Sequence, residues 1–160
     1  MPCYLFTYHA YGSWLPDRRR GYVRRDRGII PADTHVAKLY RRDMAESPVV
    51  LNGALQRAAI AALLDSQQPQ RFNMHAMATD RTHVHALLSW RDSRDAVKMR
   101  ALLKGSVTRA LNAEFGRRNW LAEGGSRKQV RDRRHFDHLR TEYLPKHTGW
   151  KWLPERGYFL

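Results

Sequence analysis

Two adjacent segments of extended character constrain the fold of this chain more than any other feature. Residues 72–78 (Phe-Asn-Met-His-Ala-Met-Ala) alternate between apolar and polar side chains, and residues 82–90 (Thr-His-Val-His-Ala-Leu-Leu-Ser-Trp) are typical of a strand. Asp80 and Arg81 supply a short polar connection between them. Two strands joined in this way predict an antiparallel hairpin near the middle of the chain.

The remaining elements are predicted from the spacing of apolar residues and from the residues that end helices and strands. Strands are predicted over residues 4–11 and 126–130, and helices over residues 51–64, 96–115 and 132–147, with Asn52 or Ser47 capping the first helix. This order predicts an α+β fold of the ferredoxin-like sandwich type, in which helices cover one face of an antiparallel sheet and a further C-terminal helix carries Tyr143. The 160 residues are expected to form a single domain, residues 1–160.

Composition points to a polyanionic partner. The chain has 29 Lys and Arg against 15 Asp and Glu, a formal net charge of +14, and most of the basic residues are arginine. Such a field concentrates polyanions, and arginine binds phosphate oxygens well, so nucleic acid is the leading partner. The alternatives are a solvated basic surface or a basic face for a ribosome or an acidic lipid.

Other classes of protein are disfavoured by the same composition. No stretch of about 18 apolar residues predicts a membrane span, and the first residues lack the order of a signal peptide. The single Cys3 excludes an internal disulfide and a cysteine metal cluster. A cytoplasmic protein without a membrane partner is therefore expected.

The strand over residues 82–90 carries two histidines at alternate positions. The pleat sends His83 and His85 to one face, about 7 Å apart at the backbone, while Val84 points into the core. This spacing allows the two imidazoles to chelate one metal ion, but a third ligand must come from elsewhere. A structural or solvent-facing role for the pair is the alternative.

The predicted C-terminal helix offers that third group. Tyr143 and His147 are four residues apart and would share one helix face, so a phenol and an imidazole would be presented together. If this face covers the histidine strand, His147 completes a three-nitrogen ligand set beside Tyr143. Otherwise Tyr143 caps the core and His147 is a surface residue near a helix C-terminus.

These motifs, in this order, resemble those of a known family. Thr82-His83-Val84-His85-Ala86-Leu87-Leu88, followed by Tyr143-Leu144-Pro145-Lys146-His147, resembles the single-tyrosine HUH transposases, and specifically their REP-associated tyrosine transposase branch. The aromatic opening Tyr4-Leu5-Phe6-Thr7-Tyr8-His9-Ala10-Tyr11-Gly12-Ser13-Trp14-Leu15-Pro16 is also similar to that branch. The resemblance spans most of the chain.

The resemblance implies a ferredoxin-like enzyme that cuts and rejoins single-stranded DNA at hairpin-flanked sites. His83 and His85 would hold Mg²⁺ or Mn²⁺, His147 would stand at the third ligand position, and Tyr143 would form a 5′-phosphotyrosine intermediate. An all-imidazole ligand set is softer than magnesium prefers, so Mn²⁺ is expected to serve at least as well. Pro145 removes a backbone donor between nucleophile and ligand and is expected to bend the helix there. A monomer is favoured over a dimer.

Contacts with DNA are expected from two basic regions. Residues 18–42 form a basic excursion, and the helix over residues 96–115 has a basic face. The candidate DNA-binding residues are Arg18, Arg19, Arg20, Arg24 and Arg25 in the excursion and Lys98, Lys104 and Arg109 on the helix. His9 and His75 are interpreted as structural, and Tyr8, Tyr11 and Trp14 as core residues or stacking surfaces for bases.

Two rival functions use the same residues differently. A non-catalytic module would bind single-stranded nucleic acid through a basic, aromatic sheet, although histidines occupy the strand that should carry the aromatics. A metal-independent ribonuclease would use His83 and His85 as an acid–base pair. EDTA separates the three hypotheses, since the transposase-like enzyme alone requires a metal ion.

Overall fold

The computed structural model describes residues 1–13, 15–17, 22–24 and 28–160, with residues 22–24 described as backbone. In chain order the elements are β1 (Cys3–His9), β2 (Tyr22–Arg24), β3 (Gly28–Ile30), α1 (Thr34–Asp43), α2 (Gly53–Asp65), β4 (Phe72–Thr79), β5 (His83–Trp90), α3 (Ala96–Phe115), β6 (Ser126–Gln129), α4 (Arg133–His138), a π-helical turn (Leu139–Tyr143), a 3-10 turn (Leu144–Lys146), β7 (Lys151–Leu153) and β8 (Gly157–Phe159). No helix in these ranges is long and apolar enough to cross a membrane.

The principal sheet has six antiparallel strands in the order β6-β1-β5-β4-β7-β8. Its first four strands are connected as β1-α2-β4-β5-α3-β6, which is the arrangement of a ferredoxin-like sandwich. The predicted α+β class and the predicted central hairpin are therefore confirmed. Strands β7 and β8 extend the sheet beyond β4, and β2 pairs with β3 in a separate two-stranded sheet.

The sheet is covered on both faces, and β5 lies at its centre. On one face α2 and α3 pack on Phe6, Val84 and Trp90. On the other face Leu5 and Leu87 pack with three residues of the C-terminal helical segment: Leu139, Leu144 and the partly buried Phe136. Alternate residues of β5 therefore belong to different layers, and the residues at positions 83, 85 and 87 face the C-terminal segment.

The two long helices begin and end where local chemistry predicts. The Asn52 side chain accepts a hydrogen bond from the Leu55 N–H at the start of α2, and Asp95 does the same for Lys98 at the start of α3. Helix α3 ends at Gly116, whose φ of +90° lies outside the helical region. These polar caps fix the ends of the helices that support the sheet from one side.

The C-terminal segment differs from the continuous helix predicted over residues 132–147. Asp132 caps α4, which is followed by the π-helical turn that ends at Tyr143 and by the 3-10 turn that contains Pro145. His147 already has extended backbone, with ψ of 145°. Pro145 lacks the N–H that a regular α-helix would use, so Tyr143 and His147 do not share one face of an α-helix.

The basic excursion over residues 18–42 contains more regular structure than its sequence suggested. Helix α1 begins within it and ends one residue beyond it, with the Asp33 side chain accepting from the Val36 N–H. The residues of the excursion that lie outside the described ranges include four of the candidate DNA-binding residues, Arg18, Arg19, Arg20 and Arg25.

Candidate active site

His83 and His85 lie on the face of β5 that meets the C-terminal segment. Their ring centroids are 4.6 Å apart, and Val84 between them is buried in the opposite layer with α2 and α3. The strand register places His85 opposite Thr7 of β1 and His83 opposite His9. The alternation of the strand therefore presents both imidazoles to one site.

His147 brings a third imidazole to this pair. Its ring centroid lies 4.5 Å from that of His85 and 5.4 Å from that of His83. One ligand nitrogen from each of the three side chains lies within 4.8 Å of the other two. Nitrogen ligands about 2.1 Å from a shared ion are at most about 4.2 Å apart, so small side-chain adjustments close the three rings on one ion.

The hydrogen bonds of the three rings turn the same nitrogen toward the site. The Nδ1 atoms of His83 and His85 lie 2.8 Å from the hydroxyls of Thr82 and Thr7 respectively. The Nδ1–H of His147 donates to the Leu144 carbonyl at 3.1 Å, because a carbonyl can only accept. His147 thereby keeps the lone pair of Nε2 for a ligand role, and an Nδ1–H that donates to the threonine hydroxyl would leave Nε2 of His83 and of His85 in the same form.

His85 shows most directly that the site fits a cation. Its Nε2 is buried and has no hydrogen-bond partner among the described residues. Burial, followed by the charges of His83, His147 and His9, lowers the pKa of His85 from its usual 6.5 to about 2. The ring is therefore neutral at physiological pH, which is the form that binds a metal ion.

The position of His147 depends on the segment that follows it. The Lys151 ammonium is buried and donates to the carbonyls of His147 at 2.8 Å and Gly149 at 3.2 Å. The Gly149 N–H donates to the Thr79 carbonyl at 3.0 Å, and a Cβ at Gly149 would lie 2.6 Å from that oxygen and from Gln56 Oε1. This close approach holds the third histidine against β4, and the sequence reasoning did not identify either Lys151 or Gly149.

Tyr143 lies beside the three histidines at the end of the π-helical turn. Its ring centroid is 5.2 Å from that of His147 and 5.6 Å from that of His85. The side chain remains 37% exposed, so a substrate can reach it. The π-helical and 3-10 turns bring phenol and imidazole together where a shared helix face had been expected to do so.

Two further histidines have other surroundings. His75 Nε2 lies 2.7 Å from the Ser89 hydroxyl, and burial followed by the charge of Arg140 lowers the pKa of His75. His9 contacts the His83 ring at a centroid distance of 5.8 Å, at the margin of the site. His75 thus has the structural surroundings that its sequence context suggested.

The candidate DNA-binding residues on α3 lie away from the histidines. Lys98 and Arg109 are exposed, but α3 packs on the opposite face of the sheet. Lys104 donates to the Ala122 carbonyl at 2.8 Å, and burial lowers its pKa. Arg24 belongs to β2, in the separate small sheet.

A different basic surface lies on the histidine side of the sheet. Lys128 on β6 is opposite Leu5, whose side chain packs with the C-terminal segment, and Arg131 and Arg134 flank the start of α4. All three side chains are exposed, and none forms an ion pair within the described part of the chain. They line an open groove that continues past His138 to Glu142, the neighbour of Tyr143. We call these three residues the β6–α4 basic surface; the basic run over residues 127–134 was the signal for it in the sequence.

Comparison with known proteins shows a relation of fold. No protein-family model matches the sequence, and no curated protein matches it. A solved structure, that of a REP-associated tyrosine transposase bound to a REP hairpin, matches with a TM-score of 0.51 at 12% sequence identity. The match covers 89% of this chain and 64% of that one, so this chain spans less than two thirds of that protein. At this identity the likeness shows a shared fold.

Proposed function

We propose that this chain is a metal-dependent, single-stranded DNA endonuclease and strand transferase that acts through a 5′-phosphotyrosine intermediate, as a transposase does. The observation that carries the proposal is the position of Tyr143, whose ring contacts two of three histidines with ligand nitrogens within 4.8 Å of one another. A nucleophile and a cation site are the two parts that metal-assisted phosphoryl transfer requires.

The three histidines would hold the ion. A bound divalent cation supplies positive charge that neutralises the oxygens of a scissile phosphate. Mn²⁺ or Mg²⁺ would serve, and the all-imidazole donor set favours Mn²⁺. The buried, unpartnered Nε2 of His85 supports this role, because a lone pair at that depth is costly unless a proton donor or a cation meets it.

Tyr143 would perform the covalent step. Its Oη forms a bond to the phosphorus while the bond from phosphorus to the 3′-oxygen breaks; the phenolic proton is lost, and the leaving oxygen takes up a proton as a 3′-hydroxyl. Attack by the 3′-hydroxyl of another strand reverses these changes and releases Tyr143. The phosphodiester is conserved as an ester of the phenol, so joining needs no nucleotide triphosphate.

The β6–α4 basic surface would bind the strand on either side of the cleaved phosphate. It lies on the same side of the sheet as the histidines, and the groove that it lines continues to Glu142, the neighbour of Tyr143. Phosphate contacts of this kind fix the position of a strand without reading its sequence. The hairpin bound by the structural neighbour supports a hairpin-flanked substrate for this chain.

The ribonuclease hypothesis is disfavoured by the surroundings of His85. An acid–base pair of histidines needs one imidazole that is protonated near neutral pH. Burial lowers the pKa of His85 to about 2, so this ring is unprotonated at pH 7 and is also a weak proton acceptor, and it suits neither role in the pair. A pure binding module, in turn, would not require a phenol beside three imidazoles.

Covalent trapping with end-labelled DNA tests the proposal. The substrate is a hairpin-flanked single strand incubated with Mn²⁺ and wild type, Tyr143→Phe or Tyr158→Phe; Tyr158 is a matched control because it is 39% exposed and remote in the fold, on edge strand β8. We expect a protein-linked band from 3′-labelled DNA and a free fragment from 5′-labelled DNA. Both should persist in Tyr158→Phe and vanish in Tyr143→Phe and in EDTA. A linked band in Tyr143→Phe, or cleavage in EDTA, contradicts the proposal.

A further inference from the structure

Thr7 is the neighbour of His85 that the proposed chemistry does not use. It lies in β1 directly opposite His85 in the strand register, and its Oγ1 is 2.8 Å from His85 Nδ1. Both side chains are buried, with 8% of Thr7 and 3% of His85 exposed. Bulk water therefore does not compete for this hydrogen bond.

The direction of this hydrogen bond decides whether His85 can bind a cation. A hydroxyl can donate or accept, and a neutral imidazole carries its proton on one nitrogen. If the Thr7 hydroxyl donated to Nδ1, the proton would reside on Nε2, which is buried without a partner among the described residues and would have no lone pair for an ion. If Nδ1–H donates to Thr7, the Nε2 lone pair faces the site.

We infer that Thr7 is a positioning residue of the metal centre: its hydroxyl accepts the His85 Nδ1–H, fixes the tautomer and the ring plane, and so presents Nε2 to the ion. The inference rests on the metal site of the proposed function. Hydrogen bonds of this kind, from the second nitrogen of a ligating histidine, orient the ring and increase its basicity as a ligand.

The other two histidines show why this role falls to Thr7. The partner of His147 is a backbone carbonyl, which no side-chain substitution removes. The partner of His83 is the hydroxyl of Thr82, and that contact is exposed to solvent. Water can replace an exposed hydroxyl, whereas a buried one leaves a gap. Thr82 is therefore a matched control for Thr7, with the same side chain and the same partner atom.

Mn²⁺ titration of the full chain, followed by the electron paramagnetic resonance of free Mn²⁺, tests the inference. We compare wild type, Thr7→Val, Thr7→Ser and Thr82→Val. Thr7→Val is expected to weaken binding about 10- to 100-fold, the usual loss for such partners. Thr82→Val should stay within a few-fold of wild type.

Thr7→Ser separates hydroxyl chemistry from packing. Serine keeps the hydroxyl and loses a methyl group, while valine keeps the shape and loses the hydroxyl. Near-ultraviolet circular dichroism checks that both variants have the native fold. The positioning role predicts that Ser binds Mn²⁺ nearly as well as wild type and far better than Val. A Val variant that binds like wild type, or a Ser variant that binds worse than Val, overturns the inference.

The outcome is distinguishable from that of the proposed function. If wild type binds Mn²⁺ through His85, Thr7→Val binds it more weakly, and wild type never forms a DNA adduct, the positioning role is supported and the nuclease is contradicted. If wild type forms the adduct but Thr7→Val binds Mn²⁺ with unchanged affinity, the nuclease is supported and the positioning role is contradicted. Mn²⁺ binding that survives His85→Ala would overturn the inference directly.

Discussion

His85 combines three features that are not found together in an ordinary core histidine. It is buried, its Nδ1 meets a hydroxyl, and its Nε2 has no partner within the described residues. In the absence of a cation this arrangement destabilises the charged form of the ring, which is why its pKa falls to about 2. The residue is thus suited to a neutral ligand role, and its burial has a measurable effect on stability.

Acid should destabilise the apo protein through His85. Below the usual pKa of 6.5 the unfolded chain takes up a proton at this position, while the folded chain does not until about pH 2. The stabilising contribution is therefore complete above about pH 6.5 and is lost progressively as the pH falls. Between pH 7.5 and 5.0 we expect a loss of roughly 2 kcal/mol in unfolding free energy from this group.

Urea denaturation at pH 7.5 and 5.0 measures this effect. The comparison is between wild type and His85→Gln, so that contributions of other groups such as His75 cancel. The wild type should lose about 2 kcal/mol more than the variant on acidification. Equal losses in the two proteins would show that His85 is not held neutral in the fold.

At the scale of elements, the C-terminal segment shows what short-range patterns can and cannot predict. Helix α3 was predicted correctly over Ala96–Phe115 because one apolar face and polar caps specify it locally. The break after α4 depends on Pro145 and on the packing of Leu139 and Leu144 against the sheet. The spacing of apolar residues in the sequence does not reveal this packing. Strands β7 and β8, of three residues each, are too short to show an alternating pattern.

Some residues of the candidate site could be predicted from the sequence, and others could not. Two histidines at strand spacing and a phenol four residues before a third histidine were visible in the sequence. The contributions of Thr7, Gly149 and Lys151 were not. Thr7 and Gly149 act through partners remote in sequence, His85 and Thr79, and Lys151 donates to the carbonyl of His147 four residues earlier, across a non-helical bend. Such contacts exist only once β1, β4 and β7 have joined the sheet.

Gly149→Ala should displace the third histidine. A Cβ at this position would lie 2.6 Å from the Thr79 carbonyl oxygen, so the backbone between His147 and Lys151 must move. We expect unfolding free energy to fall by about 1–3 kcal/mol and Mn²⁺ affinity to fall severalfold. Denaturant unfolding and Mn²⁺ titration measure the two effects.

Gly105→Ala is the control for this substitution. The atom nearest its added Cβ is Nη1 of Arg109, the flexible end of a side chain, and alanine is favoured within a helix. Stability should rise by up to about 1 kcal/mol with unchanged Mn²⁺ affinity. If both glycine variants behaved alike, the segment around Gly149 would not control the position of His147.

At the scale of the whole molecule, the positive charge is divided between the two sides of the sheet. The β6–α4 basic surface lies on the histidine side, while Lys98 and Arg109 project from α3 on the other. A strand whose phosphate reaches Tyr143 should therefore contact Arg131 and Arg134 in preference to the α3 pair. The two pairs can be compared at equal change in net charge.

Arg131→Gln with Arg134→Gln should weaken single-stranded DNA binding more than Lys98→Gln with Arg109→Gln. Each double variant lowers the charge by two, so long-range attraction changes equally in both. Fluorescence anisotropy over a range of salt concentrations should show that the first variant loses about 1.4 from the slope of log affinity against log salt, the value for two phosphate contacts. A larger loss in the α3 variant would place the strand on the opposite side of the sheet.

The most direct test of a tyrosine acting beside three histidines is to identify the residue that becomes linked to DNA. After reaction with Mn²⁺ and a hairpin-flanked single strand, nuclease and trypsin digestion should leave a nucleotide on the peptide that spans residues 141–146, whose one tyrosine is Tyr143. Mass spectrometry should find that modified peptide in wild type and lose it in His85→Ala. A nucleotide on any other tyrosine, or an adduct that persists without the histidines, would contradict the account.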